Sequence, residues 1–217
     1  MKRVLLTGTA GGLGRELACH LGRRGWSVHA LVRKASSHTL NLGQVAAEEG
    51  WKIEFREQDA EAPMSPAVSE WIEALAPDLD AFVHLAAPRL SIIPVAMETP
   101  EAFERQWRVA VRFAMEILGR TLRPMSRRGG ASLAFVLSET TLGTSGKGMG
   151  AYVSAKFGLL GLAKVIAAEH EGRLRVACFS PGLMDTDLLG DLSGSVRAMM
   201  IGGSGGRSTP VSDVATR

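Results

Sequence analysis

One tyrosine and one lysine have a spacing that suggests acid–base chemistry. The chain contains a single tyrosine, Tyr152, and Lys156 follows it by four residues at the start of a predicted helix, so both side chains lie on one helix face. A phenol with a pKa of about 10 exchanges protons poorly at neutral pH, but a neighbouring ammonium stabilises the phenolate and lowers that pKa. The pair therefore suggests a proton donor and the cation that tunes it. The alternative is a core aromatic residue beside a surface lysine.

A glycine-rich turn, TGTAGGLG at residues 7–14, joins a short apolar run to the first predicted helix. Glycine lets the backbone turn tightly and approach a pyrophosphate, and the helix N-terminus offers unpaired N–H groups and the positive end of its dipole. The turn therefore predicts dinucleotide binding, with a bare strand–helix turn as the alternative. The predicted contacts are Thr7, Gly8, Gly11, Gly12, Leu13 and Gly14.

Two cations narrow the choice of cofactor. An acidic residue at the end of the second predicted strand would bind the adenosine ribose hydroxyls and disfavour a 2′-phosphate. This chain has Arg33 and Lys34 there and no carboxylate, which favours NADPH over NAD. The alternative is a pair of exposed loop charges. Asp59, after the third predicted strand, is a candidate acceptor for the adenine amino group or, equally, a cap for the next turn.

Strands and helices alternate along the chain and must position these groups. Apolar runs predict strands at 3–7, 27–32, 51–58, 79–85, 131–138 and 174–179. Helical spacing predicts helices at 13–24, 38–49, 65–76, 100–125 and 151–170. Short connections marked by glycine indicate parallel strands with crossover helices on both faces. We therefore predict an α/β fold, a doubly wound parallel sheet of the Rossmann type, in a single domain over residues 1–217, with ligands at the carboxyl ends of the strands.

Composition and charge exclude several classes of protein. Of 217 residues, 46% are hydrophobic and 22% charged, and 25 basic residues against 22 acidic ones give a net charge of +3. These values exclude a disordered chain, a collagen-like repeat and a disulfide scaffold. The basic residues are scattered and no apolar run predicts a membrane span, so we expect neither nucleic acid nor membrane as a partner. Cys19 and Cys178 lie in apolar sequence and are expected to be buried free thiols of a cytoplasmic protein. We expect no metal site.

Four motifs together resemble the short-chain dehydrogenase/reductase family over nearly the whole chain. They are TGTAGGLG at 7–14, HLAA at 84–87, YVSAK at 152–156 and PGLMDTD at 181–187. The resemblance implies that Tyr152 donates a proton to a carbonyl while NADPH supplies hydride, and that Lys156 binds the nicotinamide ribose and lowers the pKa of the tyrosine. It also implies a small-molecule carbonyl or alcohol substrate and a homodimer or homotetramer formed through the long helices. Further implied cofactor contacts are Ala86, Ala87, Pro181, Gly182, Met184 and Thr186.

Three positions depart from the pattern of this family. The hydroxyl that holds the substrate carbonyl is either Ser138, which directly ends the fifth strand, or Thr140, counted back from Gly143, and Ser138 is slightly preferred. Ala110 occupies the place of an asparagine that supports a water relay to the lysine. HLAA resembles the extended branch of the family, but the chain is too short for the substrate domain of that branch, and His84 is expected to be a packed strand residue.

The C-terminal region gives three expectations. The seventh strand of the family is expected to be absent or truncated. The segment SDVATR at 212–217 resembles the opening of a helix with Ser212 as its N-cap. Residues 184–210 are expected to form a flexible substrate lid, with a glycine-rich stretch near its end.

Three functions are weighed against one another. The leading hypothesis is an NADPH-dependent carbonyl reductase or alcohol dehydrogenase. The alternative is a non-catalytic dinucleotide-binding regulatory protein, which Ala110 favours and the retention of Tyr152 and Lys156 opposes. A nucleotide-sugar epimerase or dehydratase would need tightly held NAD and a larger C-terminal region. Residues that suggest a partly apolar substrate are Pro88, Leu90, Leu142, Leu183, Met184 and Leu188.

Overall fold

A computed structural model describes residues 1–143, 146–184, 194 and 209–215 of the chain. Its centre is a six-stranded sheet with the order β3-β2-β1-β4-β5-β6, in which every neighbouring pair runs parallel. The strands are β1 (Arg3–Thr7), β2 (Ser27–Val32), β3 (Ile53–Glu57), β4 (Ala81–His84), β5 (Ala131–Val136) and β6 (Leu174–Phe179). The strand order reverses between β1 and β4, which is where this class of sheet opens a ligand-binding crevice. The predicted α/β fold is confirmed.

Helices connect the consecutive strands of the sheet. They are α1 (Gly12–Arg23), α2 (Ser37–Glu49), α3 (Pro66–Leu75), α4 (Pro100–Trp107), α5 (Phe113–Arg128), α6 (Gly150–Glu169) and, after β6, α7 (Val211–Ala215). A π-helical turn, Arg108–Arg112, separates α4 from α5 where the sequence predicted one uninterrupted helix. Ala110 and Val111 of this turn pack against Ala155 of α6, so the turn lies beside the helix that carries Tyr152 and Lys156.

The hydrophobic core lies on both faces of the sheet. Along β1, Val4 and Leu6 pack with α1 and α2, whereas Leu5 packs with α3, α5 and α6 on the opposite face. This alternation follows from the two-residue period of a strand, and a strand buried on both faces is continuously apolar. The helices therefore cover both faces, as a doubly wound sheet requires.

Helix α6 is long and apolar enough, by length and composition alone, to cross a membrane. It packs instead against β5, β6 and the π-helical turn. Lys156 is among its buried residues. These contacts identify α6 as the core helix of an α/β domain, whose apolar sequence reflects packing on two sides.

Strand β6 lies at the edge of the sheet, and Cys178 on this strand is not buried as the sequence predicted. Among the described residues β6 pairs only with β5, and no seventh strand occurs there. Cys178 is exposed, whereas Cys19 is buried as predicted. The apolar neighbours of Cys178 in the sequence did not reveal an edge position, because burial of an edge strand depends on what lies beside it.

The predicted C-terminal helix is present but begins earlier than the sequence suggested. Helix α7 starts at Val211 and packs against α1. Ser212 is therefore inside the helix rather than its N-cap, and its hydroxyl donates to Asp213 Oδ1 at 3.4 Å. Most of the predicted lid at 184–210 lies outside the described residues.

Candidate active site

A cleft of about 1440 Å³ crosses the carboxyl ends of the strands. The glycine turn and the residues after β2 line one end, and Tyr152 and Lys156 line the other. Among the described site residues that were predicted, Thr7 alone is not part of this lining. Thr7 is fully buried beneath the turn, and Thr186 lies outside the described residues. The remaining predicted site residues all line the cleft.

The glycine turn is shaped by two close backbone approaches. Gly8 has a φ of +73°, and a Cβ there would lie 3.0 Å from the Ala86 backbone nitrogen. A Cβ on Gly14 would lie 2.2 Å from the Gly8 carbonyl oxygen. The N-cap of α1, Gly11, offers no side-chain hydrogen bond to the first amides of the helix. The turn therefore presents backbone N–H groups and the positive end of a helix dipole to the cleft, an arrangement that fits the pyrophosphate of NAD(P).

The Thr7 side chain connects the start of the glycine turn to the residues that follow β4. Its Oγ1 accepts hydrogen bonds from the Leu85 and Ala86 amides at 3.0 and 3.2 Å. Ala86 and Ala87 then continue along the wall of the cleft. The Thr7 side chain thus sets where the chain leaves β4, and it does not point into the cleft.

The cations after β2 are exposed at the edge of the cleft. Among the described residues, neither Arg33 nor Lys34 has an ion-pair or hydrogen-bond partner, and both side chains are free to meet an anion. Glu57, the last residue of β3 and the register partner of Val32, accepts instead from the Ala35 amide at 2.8 Å. Asp59 accepts from the Glu61 amide at 2.9 Å and so caps the turn, which was one of its two predicted roles, and it also lines the cleft.

The other end of the cleft brings Ser138, Tyr152 and Lys156 together. Tyr152 is 7% exposed and shares a side-chain hydrogen bond with Ser138. Lys156 is 3% exposed, and its Nζ lies 5.6 Å from the Tyr152 ring centroid while donating to the Val136 carbonyl at 2.8 Å. Thr140 follows in a short 3-10 turn, and its amide donates to Ser138 Oγ at 3.3 Å. The hydroxyl that meets the tyrosine in this structure is therefore that of Ser138.

Burial controls the proton affinities at this end of the cleft. Desolvation raises the pKa of Tyr152, the hydrogen bond with Ser138 opposes that rise, and the charge of Glu139 adds to it. Desolvation lowers the pKa of Lys156 to about 8. The net direction for Tyr152 is therefore a raised pKa, because the phenol is deeply buried and the nearby ammonium donates to a backbone carbonyl.

Glu139 was missed as a site residue by the sequence analysis. It lines the cleft, and a Cβ on Gly182 would lie 3.3 Å from Glu139 Oε2. Its amide donates to the Pro181 carbonyl at 2.9 Å, which ties the end of β5 to the segment after β6. The sequence feature that could have identified Glu139 is its position directly after Ser138, at the carboxyl end of a strand, where ligands bind in this class of sheet.

The wall beyond Tyr152 is largely apolar. Leu90, Met149 and Tyr152 form a small buried cluster, against which Ile92 and Leu183 pack. Of the residues predicted to contact an apolar substrate, Leu188 lies outside the described residues. The others line the cleft: Pro88, Leu90, Leu142, Leu183 and Met184.

Known proteins resemble this chain in both sequence and structure. A family model described as short chain dehydrogenase matches residues 2–196. The oxidoreductase YciK of Escherichia coli strain K12 is 28% identical over 82% of this chain and 72% of its own length. A short-chain type dehydrogenase/reductase from Mycobacterium ulcerans superposes with a TM-score of 0.84 at 25% identity, over 99% of this chain and 80% of that one. A short chain dehydrogenase from Shigella flexneri 2a strain 301, complexed with NADP, gives a TM-score of 0.81 at 23% identity, over 98% and 87%.

The family match spans most of the chain, including the sheet, the glycine turn and the Tyr152 helix. Members of this family bind NAD(P) and act as oxidoreductases on small-molecule substrates. The glycine turn and the Ser138 and Tyr152 hydroxyls line one cleft at the carboxyl ends of the strands, which is where sheets of this class bind their ligands. The chain belongs to the short-chain dehydrogenase/reductase family.

Proposed function

We propose that this protein uses NADPH to reduce the carbonyl group of a small-molecule substrate to an alcohol. The observation that carries the proposal is the pairing of the half-buried Ser138 hydroxyl with the buried Tyr152 hydroxyl beside the buried Lys156, at the opposite end of one cleft from the glycine turn. NADPH, when bound, supplies the hydride that adds to the carbonyl carbon.

The protein's own residues act on the carbonyl oxygen. The Tyr152 hydroxyl gives its proton to this oxygen as the carbon accepts hydride, which yields the alcohol and a phenolate. The Ser138 hydroxyl donates a hydrogen bond to the same oxygen and fixes its position. The Lys156 ammonium stabilises the phenolate until a proton returns to it. The alcohol is oxidised by the same steps in reverse, with Tyr152 as the base.

The raised pKa of Tyr152 favours reduction as the working direction. A phenol with a raised pKa is protonated at neutral pH, so Tyr152 holds the proton that reduction needs. Oxidation would require the phenolate, and burial disfavours that charged form. Lys156, with a pKa of about 8, is still largely charged at pH 7.

The test is NADPH oxidation with a panel of ketones and aldehydes, comparing the parent protein with Tyr152→Phe. Because this variant keeps the ring and removes only the hydroxyl, we expect kcat to fall by about 10²–10⁴-fold. NADPH binding, followed by cofactor fluorescence, should be unchanged and serves as the control for folding.

The second candidate is a non-catalytic dinucleotide-binding protein of the same fold. The absence of a polar side chain at Ala110 favours it. If NADPH binds but no carbonyl is turned over, and Tyr152→Phe behaves as the parent does, this candidate replaces the first.

The preference for NADPH rests on Arg33 and Lys34. Both are exposed cations at the edge of the cleft, where a 2′-phosphate on the adenosine ribose would lie, and the Shigella flexneri relative is complexed with NADP. The double variant Arg33→Asp and Lys34→Ala should weaken NADPH binding by about ten- to a hundredfold and NADH binding far less. Lys164→Ala, which removes an exposed cation from α6, is the matched control. Equal losses for both cofactors would contradict this role.

Two copies of the chain are proposed to associate through α4 and α6. Phe157 and Val165 are exposed eight residues apart on one stripe of α6. Phe103 and Trp107 on α4 are also exposed, with their rings stacked at 6.4 Å. The double variant Phe157→Glu and Val165→Glu should convert a dimer into monomers in light scattering, while an unchanged mass would place the interface elsewhere.

A further inference from the structure

The helix that carries Tyr152 begins without a cap from its own sequence. Its first residue is Gly150, and the side chain of the preceding residue, Met149, does not bond to the first amides of α6. The first turn, residues 150–153, contains no acidic side chain. The first amides of a helix have no partner within the helix, and its dipole favours a negative charge near them. The start of α6 therefore needs an acceptor from elsewhere in the chain.

Glu98 supplies this acceptor from the segment that follows β4. Its Oε2 accepts a hydrogen bond from the Ala151 amide at 3.0 Å, and its side chain is half-buried. A Cβ on Gly150 would lie 2.8 Å from the same oxygen, so the close approach of the carboxylate depends on a glycine at the first position of the helix. A carboxylate thus caps α6 at the residue directly before Tyr152.

The backbone is held on both sides of Glu98. Its own amide donates to the Val95 carbonyl at 3.2 Å, at the end of a 3-10 turn formed by Val95–Met97. The next residue, Thr99, is the N-cap of α4, and its Oγ1 accepts from the Ala102 amide at 3.3 Å. Because a turn precedes Glu98 and a capped helix follows it, the carboxylate is held in one place relative to α4.

A second contact joins the same two segments. The Ile93 amide donates to the Gly148 carbonyl at 2.9 Å, and Ile93 forms an isolated parallel β-bridge with Met149. Gly148 has a φ of +73°, and a Cβ there would lie 2.9 Å from Ile92 Cγ2. Ile92 lines the cleft. One hydrogen bond before α6 and one at its first turn therefore attach this wall of the cleft to the start of the helix.

Tyr152 packs against the same segment after β4. It is the third residue of α6, and it forms a buried cluster with Leu90 and Met149. Its hydroxyl shares a hydrogen bond with Ser138, which follows a different element, β5. A displacement of the first turn of α6 would change the distance between these two hydroxyls, whereas the glycine turn at the other end of the cleft belongs to β1 and α1.

We propose that Glu98 is a positioning residue for Tyr152: its carboxylate caps the first turn of α6 and thereby holds the phenol at hydrogen-bond distance from Ser138. Glu98 is not among the described residues that line the cleft, so it acts through the helix and not on the substrate. The catalytic consequence rests on the proposed function, whereas the effect on the position of Tyr152 does not.

Removal of the carboxylate tests this role. In Glu98→Ala we expect kcat to fall by about ten- to a hundredfold, because a displaced proton donor is rarely in the reactive geometry. The KM values for NADPH and for the carbonyl substrate should be unchanged. Glu98→Gln keeps an oxygen that accepts from the Ala151 amide and should recover most of the loss, although a neutral acceptor binds more weakly than a charged one. Equal losses in the two variants, or a parent-like kcat in Glu98→Ala, overturn the proposal.

Ser65→Ala is the matched control for the loss of a helix cap. Ser65 Oγ accepts from the Val68 amide at 3.4 Å and caps α3, and no residue of that helix lines the cleft. Loss of either cap should lower the midpoint of denaturant unfolding, but only Glu98→Ala should lower kcat. An equal fall of kcat in both variants would show general destabilisation and would overturn the proposal.

Gly150→Ala disturbs the same contact from the side of the helix. The added methyl group would displace Glu98 Oε2, whereas the exposed Val95 side chain, which is also near this Cβ, has room to turn into solvent. This variant should lower kcat as Glu98→Ala does, and it replaces Glu98→Ala if that variant does not fold. The double variant should be no worse than either single one. Additive losses would mean that the two substitutions act separately, which contradicts the proposed contact.

The single tyrosine of the chain allows a measurement without reference to activity. In protein labelled with carbon-13 tyrosine, the ring signals in NMR report on Tyr152 alone. They should shift or broaden in Glu98→Ala and stay in place in Ser65→Ala, and the Ala151 amide should exchange with solvent faster in Glu98→Ala. Ring signals at the parent position in Glu98→Ala overturn the proposal. This result stands even if Tyr152→Phe shows that the proposed reduction is wrong.

Discussion

The two ends of the cleft use charge in opposite ways. At the end lined by the glycine turn, which is the proposed cofactor end, Arg33 and Lys34 are exposed to solvent. At the opposite end, which is the proposed catalytic end, His84, Tyr152 and Lys156 are buried, and in each case the environment disfavours the charged form. The exposed cations suit the recognition of an anion, whereas the buried groups have proton affinities set by desolvation. The two lysines thus differ in their environment: Lys34 is exposed to solvent, whereas burial of Lys156 lowers the pKa of its ammonium group.

The largest effect is expected from one methyl group at the cofactor end. A Cβ on Gly14 would lie 2.2 Å from the Gly8 carbonyl oxygen, which is backbone and has no side-chain freedom. Gly14→Ala should therefore lower the free energy of unfolding by about 3 kcal/mol and abolish cofactor binding. Denaturant titration and cofactor fluorescence measure both.

Gly119→Ala is the matched control for this change. Gly119 lies within α5, and a Cβ there would meet nothing within 4 Å. It should stabilise the protein by about 0.5–1 kcal/mol, the helix preference for alanine over glycine. Equal effects of the two substitutions would show that the close approach of Gly14 to Gly8 is unimportant.

Burial of Lys156 predicts a pH dependence of stability. The unfolded chain holds this proton up to pH 10.5, whereas the folded protein releases it near pH 8. Because the unfolded state binds more protons between these values, the free energy of unfolding should rise with pH across this window, by about 3 kcal/mol from this group. Lys156→Met should flatten the rise in denaturant titrations at pH 7 to 10.

The exposed Lys164 on the same helix supplies the control. Lys164→Met should keep the pH dependence of the parent protein. A parent-like rise in Lys156→Met as well would mean that burial of the ammonium does not govern this window, and the contrast between the two ends of the cleft would be lost.

Ser138 and Thr140 are separated by their contacts in the structure. Ser138 shares a hydrogen bond with Tyr152, whereas the amide of Thr140 supports Ser138. Ser138→Ala should lower kcat by about a hundredfold, as the loss of one donor to a reacting oxygen does. Thr140→Val keeps that amide and should have a much smaller effect. A larger loss in Thr140→Val would reassign the carbonyl-holding hydroxyl.

The smallest expected effect concerns Glu139. Its negative charge adds to the raised pKa of Tyr152. Glu139→Gln removes the charge and keeps the shape, so the pKa of Tyr152 should fall, and the limb of the pH–rate profile that reports the phenol should move to lower pH. The same shift in Glu57→Gln, at the cofactor end, would show that the effect is not specific to the site.

Periodicity predicted most of the fold. Strands β1, β2 and β6 begin and end at the predicted residues, and β5 is two residues shorter than predicted. The π-helical turn at Arg108–Arg112 was missed, because it depends on how Ala110 packs against α6 and not on a local pattern. The exposure of Cys178 was missed for a similar reason, since its position at the sheet edge is a property of the whole sheet.

The sequence by itself determined the residue types and their order: a glycine turn after the first strand, cations after the second, and Tyr152 four residues before Lys156 on one helix. These are local patterns, and the geometry of a single helix or turn is enough to interpret them. Only the tertiary structure decided that Ser138 meets the tyrosine, that Glu139 faces it, and that Glu98 caps the helix that carries it. It also decided that the pKa of Tyr152 is raised rather than lowered. The physical reason is that desolvation and hydrogen bonding depend on neighbours from distant strands, which no local spacing specifies.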